Sequence, residues 1–287
     1  PAFRRSAADE EDAAAEAYYL KQSLRGLGGG LVPREVLEAR LGNRPAAASD
    51  ADEGGDHRVW RYAVVDEAQD LSPMEWRMVG RHSSRRAITV VGDVAQGTEA
   101  WSSASWAEIG ASLGADDATL TELTINYRTP SEIAEVAAAV LKVVDPSLEP
   151  PSAIRSAPGS LTADRVAPGE VAARAAERAV ALRSELGSGI ACVVVPDSLV
   201  EAVRSALAER MGREVPRPSD PDVLDAPVVA LTPEYAKGLE FDVVVVADPA
   251  ALVRERGWRD LYVGLTRATQ RLAVVHTTPD MLPTPSA

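Results

Sequence analysis

The stretch Tyr62-Ala63-Val64-Val65-Asp66-Glu67-Ala68-Gln69-Asp70 decides how the rest of the chain is read. A short apolar run leads straight into a pair of carboxylates. Short, near-continuous apolar runs of this kind mark strands buried on both faces, as in a parallel sheet. Sheets of that type hold their ligands beyond the carboxyl ends of their strands, which is where Asp66 and Glu67 stand. Asp66 can hold Mg²⁺ directly or through water, and Glu67 can polarise an attacking water. An Asp-Glu pair alone is more often an ordinary acidic loop. The full string over residues 66–70 is far more specific.

Working outward, the run at residues 88–91 ends in Gly92-Asp93-Val94-Ala95-Gln96. Glycine permits a tight turn there, and Gln96 can sense a terminal phosphate or its attacking water. Further apolar runs lie at residues 59–65, 87–91, 122–125, 190–195, 228–231, 243–247 and 272–276. Helical periodicity occupies residues 73–80, 131–143, 169–186, 198–211 and 258–269. Strands alternating with helices predict an α/β fold built on parallel sheets. Residues 113–118 read as a hinge, and the proline-rich residues 146–168 as a surface connection. Near the start, helices are expected at residues 9–25 and 33–41, followed by an Ala/Asp/Gly-rich loop over residues 43–56.

Three more strings complete the pattern. In Asn126-Tyr127-Arg128-Thr129-Pro130-Ser131-Glu132-Ile133, the proline begins a helix and sets Tyr127 and Arg128 at a strand-to-helix junction. Tyr127 can stack on a base and Arg128 can reach a phosphate, although a core Tyr and a surface Arg are equally ordinary readings. The others are Lys237-Gly238-Leu239-Glu240-Phe241-Asp242 and Leu261-Tyr262-Val263-Gly264-Leu265-Thr266-Arg267-Ala268. Arg267 near a nucleotide held elsewhere would suit an arginine finger. A lone helical arginine is more commonly solvated.

In this order the five strings resemble motifs II to VI of the UvrD/Rep/PcrA group of superfamily-one helicases. The resemblance implies ATP and Mg²⁺ as cofactors. By it, Asp66 is the Mg²⁺ carboxylate and Glu67 activates the water. It also implies that Gln96 couples the γ-phosphate to motion, that Tyr127 stacks on adenine, and that Arg128 and Arg267 contact the γ-phosphate. Gly238 and Glu240 would lie against the nucleotide, Glu240 near its sugar. The fold expected is two RecA-like parallel-sheet domains with a nucleotide cleft between them. The first, residues 1–117, is incomplete, and the second spans residues 118–287; residues 1–58 would be the return of an insertion.

The pattern is broken in three places. A Gly-x-x-x-x-Gly-Lys-Ser/Thr phosphate loop is missing: Lys21, Lys142 and Lys237 follow Leu20, Leu141 and Ala236. The sequence is therefore expected to be part of a longer motor, in preference to a protein that has lost hydrolysis. After Gln96, where translocating helicases carry aromatics and a base that track single-stranded bases, the chain reads Gly97-Thr98-Glu99-Ala100-Trp101-Ser102. Only Trp101 remains to meet nucleic acid. Finally, the 110 residues from Arg128 to Gly238 are few for the large subdomain inserted there in UvrD. These departures resemble the HelD branch, whose members remodel bacterial RNA polymerase, so that polymerase is the partner implied. A UvrD-type single-strand translocase and an inactive polymerase-binding module are the alternatives.

Composition limits the remaining classes. The 287 residues carry 43 acidic against 30 basic side chains, a net charge of −13, which argues against a strong grip on nucleic-acid backbone by this segment alone. One cysteine, Cys192, excludes an internal disulfide and points to a reducing compartment. His57, His82 and His276 are scattered, so no zinc site is expected. No apolar run reaches the roughly 20 residues of a membrane helix, and no apolar segment follows Pro1 to suggest a secretory signal. A cytoplasmic location is expected.

Overall fold

The computed structural model describes residues 60–83, 87–98, 101–102, 105–115, 118–218, 220 and 223–278. The expectations for residues 1–58, and those resting on Glu99 and Ala100, lie outside the described residues. The described part is α/β with parallel sheets throughout. In chain order the strands are β1 (Ala63–Val65), β2 (Ile88–Val90), β3 (Ile125–Asn126), β4 (Ser152–Ala153) and β5 (Leu161–Arg165), then β6 (Ala191–Val194), β7 (Val228–Leu231), β8 (Phe241–Ala247) and β9 (Ala268–His276). The helices are α1 (Pro73–His82), α2 (Trp106–Leu113), α3 (Ser131–Val144) and α4 (Val171–Leu186), then α5 (Val200–Met211), α6 (Pro233–Ala236), α7 (Pro249–Arg256) and α8 (Trp258–Thr266).

The principal sheet has the order β5-β9-β8-β6-β7. Strand β6 is apolar at every position, as are β8 from Val243 and β9 over residues 272–275, because both faces are covered there. On β8 the faces separate with period two. Val243, Val245 and Ala247 meet the alanine-lined face of α4 together with Val203 and Leu207 of α5. Val244 and Val246 meet Ile133 and Val140 of α3 and Leu261 and Leu265 of α8. Gly264 lets α8 approach this sheet: a Cβ there would fall 2.9 Å from Val194 Cγ1.

The strand pair β1–β2 builds a smaller core. Val65, Ala68, Leu71, Trp76, Val79 and Ile109 pack together, with α1 and α2 covering them. A capping box starts α1: Glu75 N donates to Ser72 Oγ at 3.3 Å, and Ser72 N donates to Glu75 Oε2 at 2.7 Å.

Several boundaries differ from the sequence expectation. The helix expected over residues 258–269 ends at Thr266, and β9 begins at Ala268 instead of residue 272. The first four residues of β9, 268–271, are mostly polar, so no apolar run marked where the strand begins. The connection over residues 146–168 contains β4 and β5. β5 reads as polar because it is an edge strand with no position fully buried, and its Asp164 pairs with Arg174 and Arg178 of α4. The strand expected at 122–125 is only Ile125–Asn126. Helices α2, α6 and α7 were not expected.

The start of α3 is pinned to the loop before β5. Glu132 accepts hydrogen bonds from Ser156 Oγ at 2.7 Å and from Ala157 N at 3.1 Å. These donors hold its carboxyl down at about 2, from an ordinary 4.5. A lowered folded-state value means stability that is present above 4.5 and lost as pH falls through about 2. Glu132→Gln should therefore lower the melting temperature at neutral pH and flatten the acid limb of its pH profile. An acid limb identical to that of the unsubstituted chain would show that the contact does not bear on stability.

Candidate functional site

The loops at the carboxyl ends of β1 and β2 face the loop before β8 and the end of α8. Glu67, one residue past the Asp66 that follows β1, takes left-handed backbone angles (φ 54°, ψ 45°), a conformation that costs a non-glycine residue on the order of 1 kcal/mol. Two local bonds hold it there. Its own N–H donates to Asp66 Oδ1 at 2.9 Å, and Gln69 Nε2 donates to its Oε2 at 2.8 Å. Asp66 is exposed beside it.

From Glu67 a continuous hydrogen-bond chain leads to Arg267. Gln69 Oε1 accepts from Asp93 N at 3.0 Å. Asp93 Oδ2 accepts from Gln96 Nε2 at 2.9 Å. Gln96 Oε1 accepts from Arg267 Nη2 at 2.6 Å. Asp93 also caps the turn over Val94–Gln96 by accepting from Ala95 N, and Tyr262 OH donates to it at 3.4 Å. Burial first, then Asp93, pushes the Tyr262 hydroxyl well above its usual range.

Arg267 stands at the C-cap of α8, not inside it, and is 7% exposed. Its Nε donates to Val263 O at 3.0 Å and its Nη1 to Leu239 O at 3.3 Å. Burial lowers its affinity for the proton, while Glu67, Glu240 and Asp93 oppose that effect. An arginine remains charged in such a setting. The guanidinium is thus a buried cation held by carbonyl and amide oxygens, with the charges of Glu67, Glu240 and Asp93 favouring it.

The remaining predicted residues form an outer tier. Arg128 pairs with Glu240. Tyr127, between β3 and α3, is 71% exposed, presenting its ring to solvent as a stacking surface would. Gly238 has φ +71° in the turn that leads from α6 to β8. Trp101 is half-exposed, and its Nε1–H donates to Asp70 O at 3.3 Å.

Several contributing residues carried no assignment from sequence. Gln69 is fully buried between Glu67 and Asp93. Lys237 pairs with Asp70 and lies 3.4 Å from Thr98 Oγ1. Arg259 Nη1 donates to Val94 O at 3.0 Å and to Gly97 O at 3.3 Å. Arg259 lies about two helical turns before Arg267, a spacing that sets both on one side of the polypeptide. That spacing was the available signal.

Among the described residues no cluster of three or more His, Cys, Asp or Glu side chains forms a metal cage. The donor set nevertheless suits Mg²⁺, which keeps several waters and takes one or two carboxylates together with substrate phosphates. No helix among the described residues is long and apolar enough to cross a membrane. Cys192 is buried in β6, and burial pushes its thiol far above the usual range.

Residues 227–275, from β7 through β9, match the UvrD-like helicase C-terminal domain family. No curated protein matches the chain. Among solved structures it is similar to the C-terminal domain of a possible DNA helicase from Lactobacillus plantarum WCFS1. That similarity has 22% identity and a TM-score of 0.43, covering 56% of this chain and 94% of the other.

Proposed function

We propose that the chain is the downstream part of a UvrD-type, ATP-driven helicase-like motor, with Glu67, Gln96 and Arg267 at its hydrolytic site. The observation that carries this reading is the hydrogen-bond chain from Glu67 to Arg267, which joins the ends of β1 and β2 to the segment of family resemblance. The division into two RecA-like halves near residues 117/118 is part of the proposal.

In this reading Glu67 orients a water and takes its proton as the water oxygen bonds to the γ-phosphorus. The bond from that phosphorus to the β–γ bridging oxygen breaks, leaving ADP and phosphate. Mg²⁺ held by Asp66 would neutralise charge on the β- and γ-phosphates. Arg267, with Arg128 beside Glu240, would stabilise charge on the transferring group. Gln96 touches both Asp93 and Arg267, so a change at the phosphate alters contacts on both sides of it. Tyr127 supplies the surface for the adenine.

The test is a nucleotide titration of the isotope-labelled motor with a phosphate loop supplied. MgADP should shift the Gln96 and Arg267 side-chain signals, and Glu67→Gln should leave that binding in place. No shift at saturating MgADP would remove the ATP reading. ATP turnover by the 287-residue chain alone should be undetectable, since the lysine and backbone N–H cradle for the phosphates is lacking. Phosphate release that vanished on Glu67→Gln would mean that other residues build the cradle.

A second reading, a motor acting on bacterial RNA polymerase, is favoured by the net charge of −13 and by Trp101's bond to Asp70. Both features suit a protein partner better than a bare strand. Capture of the polymerase by the motor, and its loss on removing nucleotide, would support this reading.

A further inference from the structure

We propose that Gln69 is a positioning residue whose buried side-chain amide couples the Glu67 carboxylate to Arg267. Reading those two residues as ends of an ATP site rests on the function proposed above; the coupling itself does not. Gln69 is 0% exposed, and both ends of its amide are engaged, the NH₂ on Glu67 Oε2 and the carbonyl on Asp93 N. It touches neither Gln96 nor Arg267 directly. Asp93 carries the link onward, through its side chain to Gln96, and Gln96 to Arg267.

The backbone is shaped around this amide. A Cβ at Gly92 would stand 2.4 Å from Gln69 Oε1 and 2.8 Å from Ala68 N, well inside contact distance. Gly92 has ordinary backbone angles in this structure, so room for Gln69, not φ freedom, is what glycine provides there. A buried amide with both ends satisfied is oriented uniquely, because reversing it would set NH₂ against the Asp93 N–H and oxygen against the Glu67 carboxylate. The carboxylate is thereby fixed relative to Asp93, and Asp93 relative to Gln96. A displacement of Glu67 is passed along four hydrogen bonds to a guanidinium on the far side of the site.

The chemistry offers a test by exchange of partners. Gln69→Glu sets two carboxylates against each other, whereas Glu67→Gln with Gln69→Glu restores a donor facing an acceptor and still leaves an oxygen for Asp93 N–H. Hydrogen exchange by NMR on the nucleotide-free chain is the readout, so failure of the ATP reading would leave it untouched. In the unsubstituted chain the Gln69 NH₂ protons should exchange at least tenfold more slowly than a free side-chain amide. Gln69→Glu should speed exchange at Asp93 N–H and at the Arg267 guanidinium by roughly five- to tenfold, the range a single lost hydrogen bond produces. The double variant should restore both. Folding of the double variant but not the single one supports the proposal equally. Gln69 NH₂ exchange at the free rate would overturn it. So would Arg267 exchange unchanged in Gln69→Glu, which would confine Gln69 to a packing role in its own turn.

Discussion

Arg267→Ala should lower ATP turnover by on the order of 10³-fold or more when the motor is assayed with a phosphate loop supplied, the effect expected of an arginine acting on developing phosphoryl charge. From sequence alone this substitution would be expected to leave the fold intact. The structure changes that expectation. Arg267 is 7% exposed and donates to Val263 O, Leu239 O and Gln96 Oε1. Removing it leaves Leu239 O and Gln96 Oε1, both partly buried, without the guanidinium donors, at about 1–3 kcal/mol each, while Val263 O keeps the Thr266 hydroxyl. The alanine variant should therefore show both lost turnover and a lowered midpoint in urea. Arg267→Lys separates the two effects, since it keeps the charge but not the planar fork that serves several acceptors at once. Its urea midpoint should lie nearer that of the unsubstituted chain, with turnover still reduced by on the order of 10²-fold. Turnover within tenfold of normal in a folded lysine variant would leave Arg267 a structural role only.

The sequence made legible those parts of the fold in which burial and periodicity agree. β7 coincides with its expected bounds and β6 differs by one residue at each end, because strands covered on both faces are apolar throughout and end at polar turns. The strands β4 and β5 were hidden for the opposite reason: one has two residues, and the other is an edge strand with charged positions. At the site, the end residues of the hydrogen-bond chain were readable, since carboxylates at strand ends and an arginine near a helix end stand out chemically. The middle was not. Gln69 and Asp93 look like loop residues in sequence. Only the pairing of β1 with β2, residues 63–65 beside residues 88–90, brings the two turns together and makes the Gln69 amide their bridge. Lys237 and Arg259 likewise acquire roles only when α6 and α8 pack near the turn after β2.

Single-stranded DNA or RNA should bind this chain weakly and with a shallow salt dependence. Phosphate contacts set both affinity and salt slope, each contact contributing about one unit of slope. The chain carries −13 charges. Two cations of this region are occupied: Lys237 pairs with Asp70, and Arg259 serves the carbonyls of Val94 and Gly97. Each stacked base contributes roughly 1–3 kcal/mol, and Trp101 supplies one half-exposed ring whose N–H is held by Asp70 O. One ring falls short of a processive track of several stacked bases by several kcal/mol, or several orders of magnitude in affinity. Trp101→Ala should then weaken an already weak complex by no more than about 1–3 kcal/mol. The measurement is a fluorescence titration with labelled oligonucleotides at several salt concentrations. Submicromolar affinity at physiological salt, lost on Trp101→Ala and without capture of RNA polymerase by the motor, would instead make a single strand the polymer on which this motor acts.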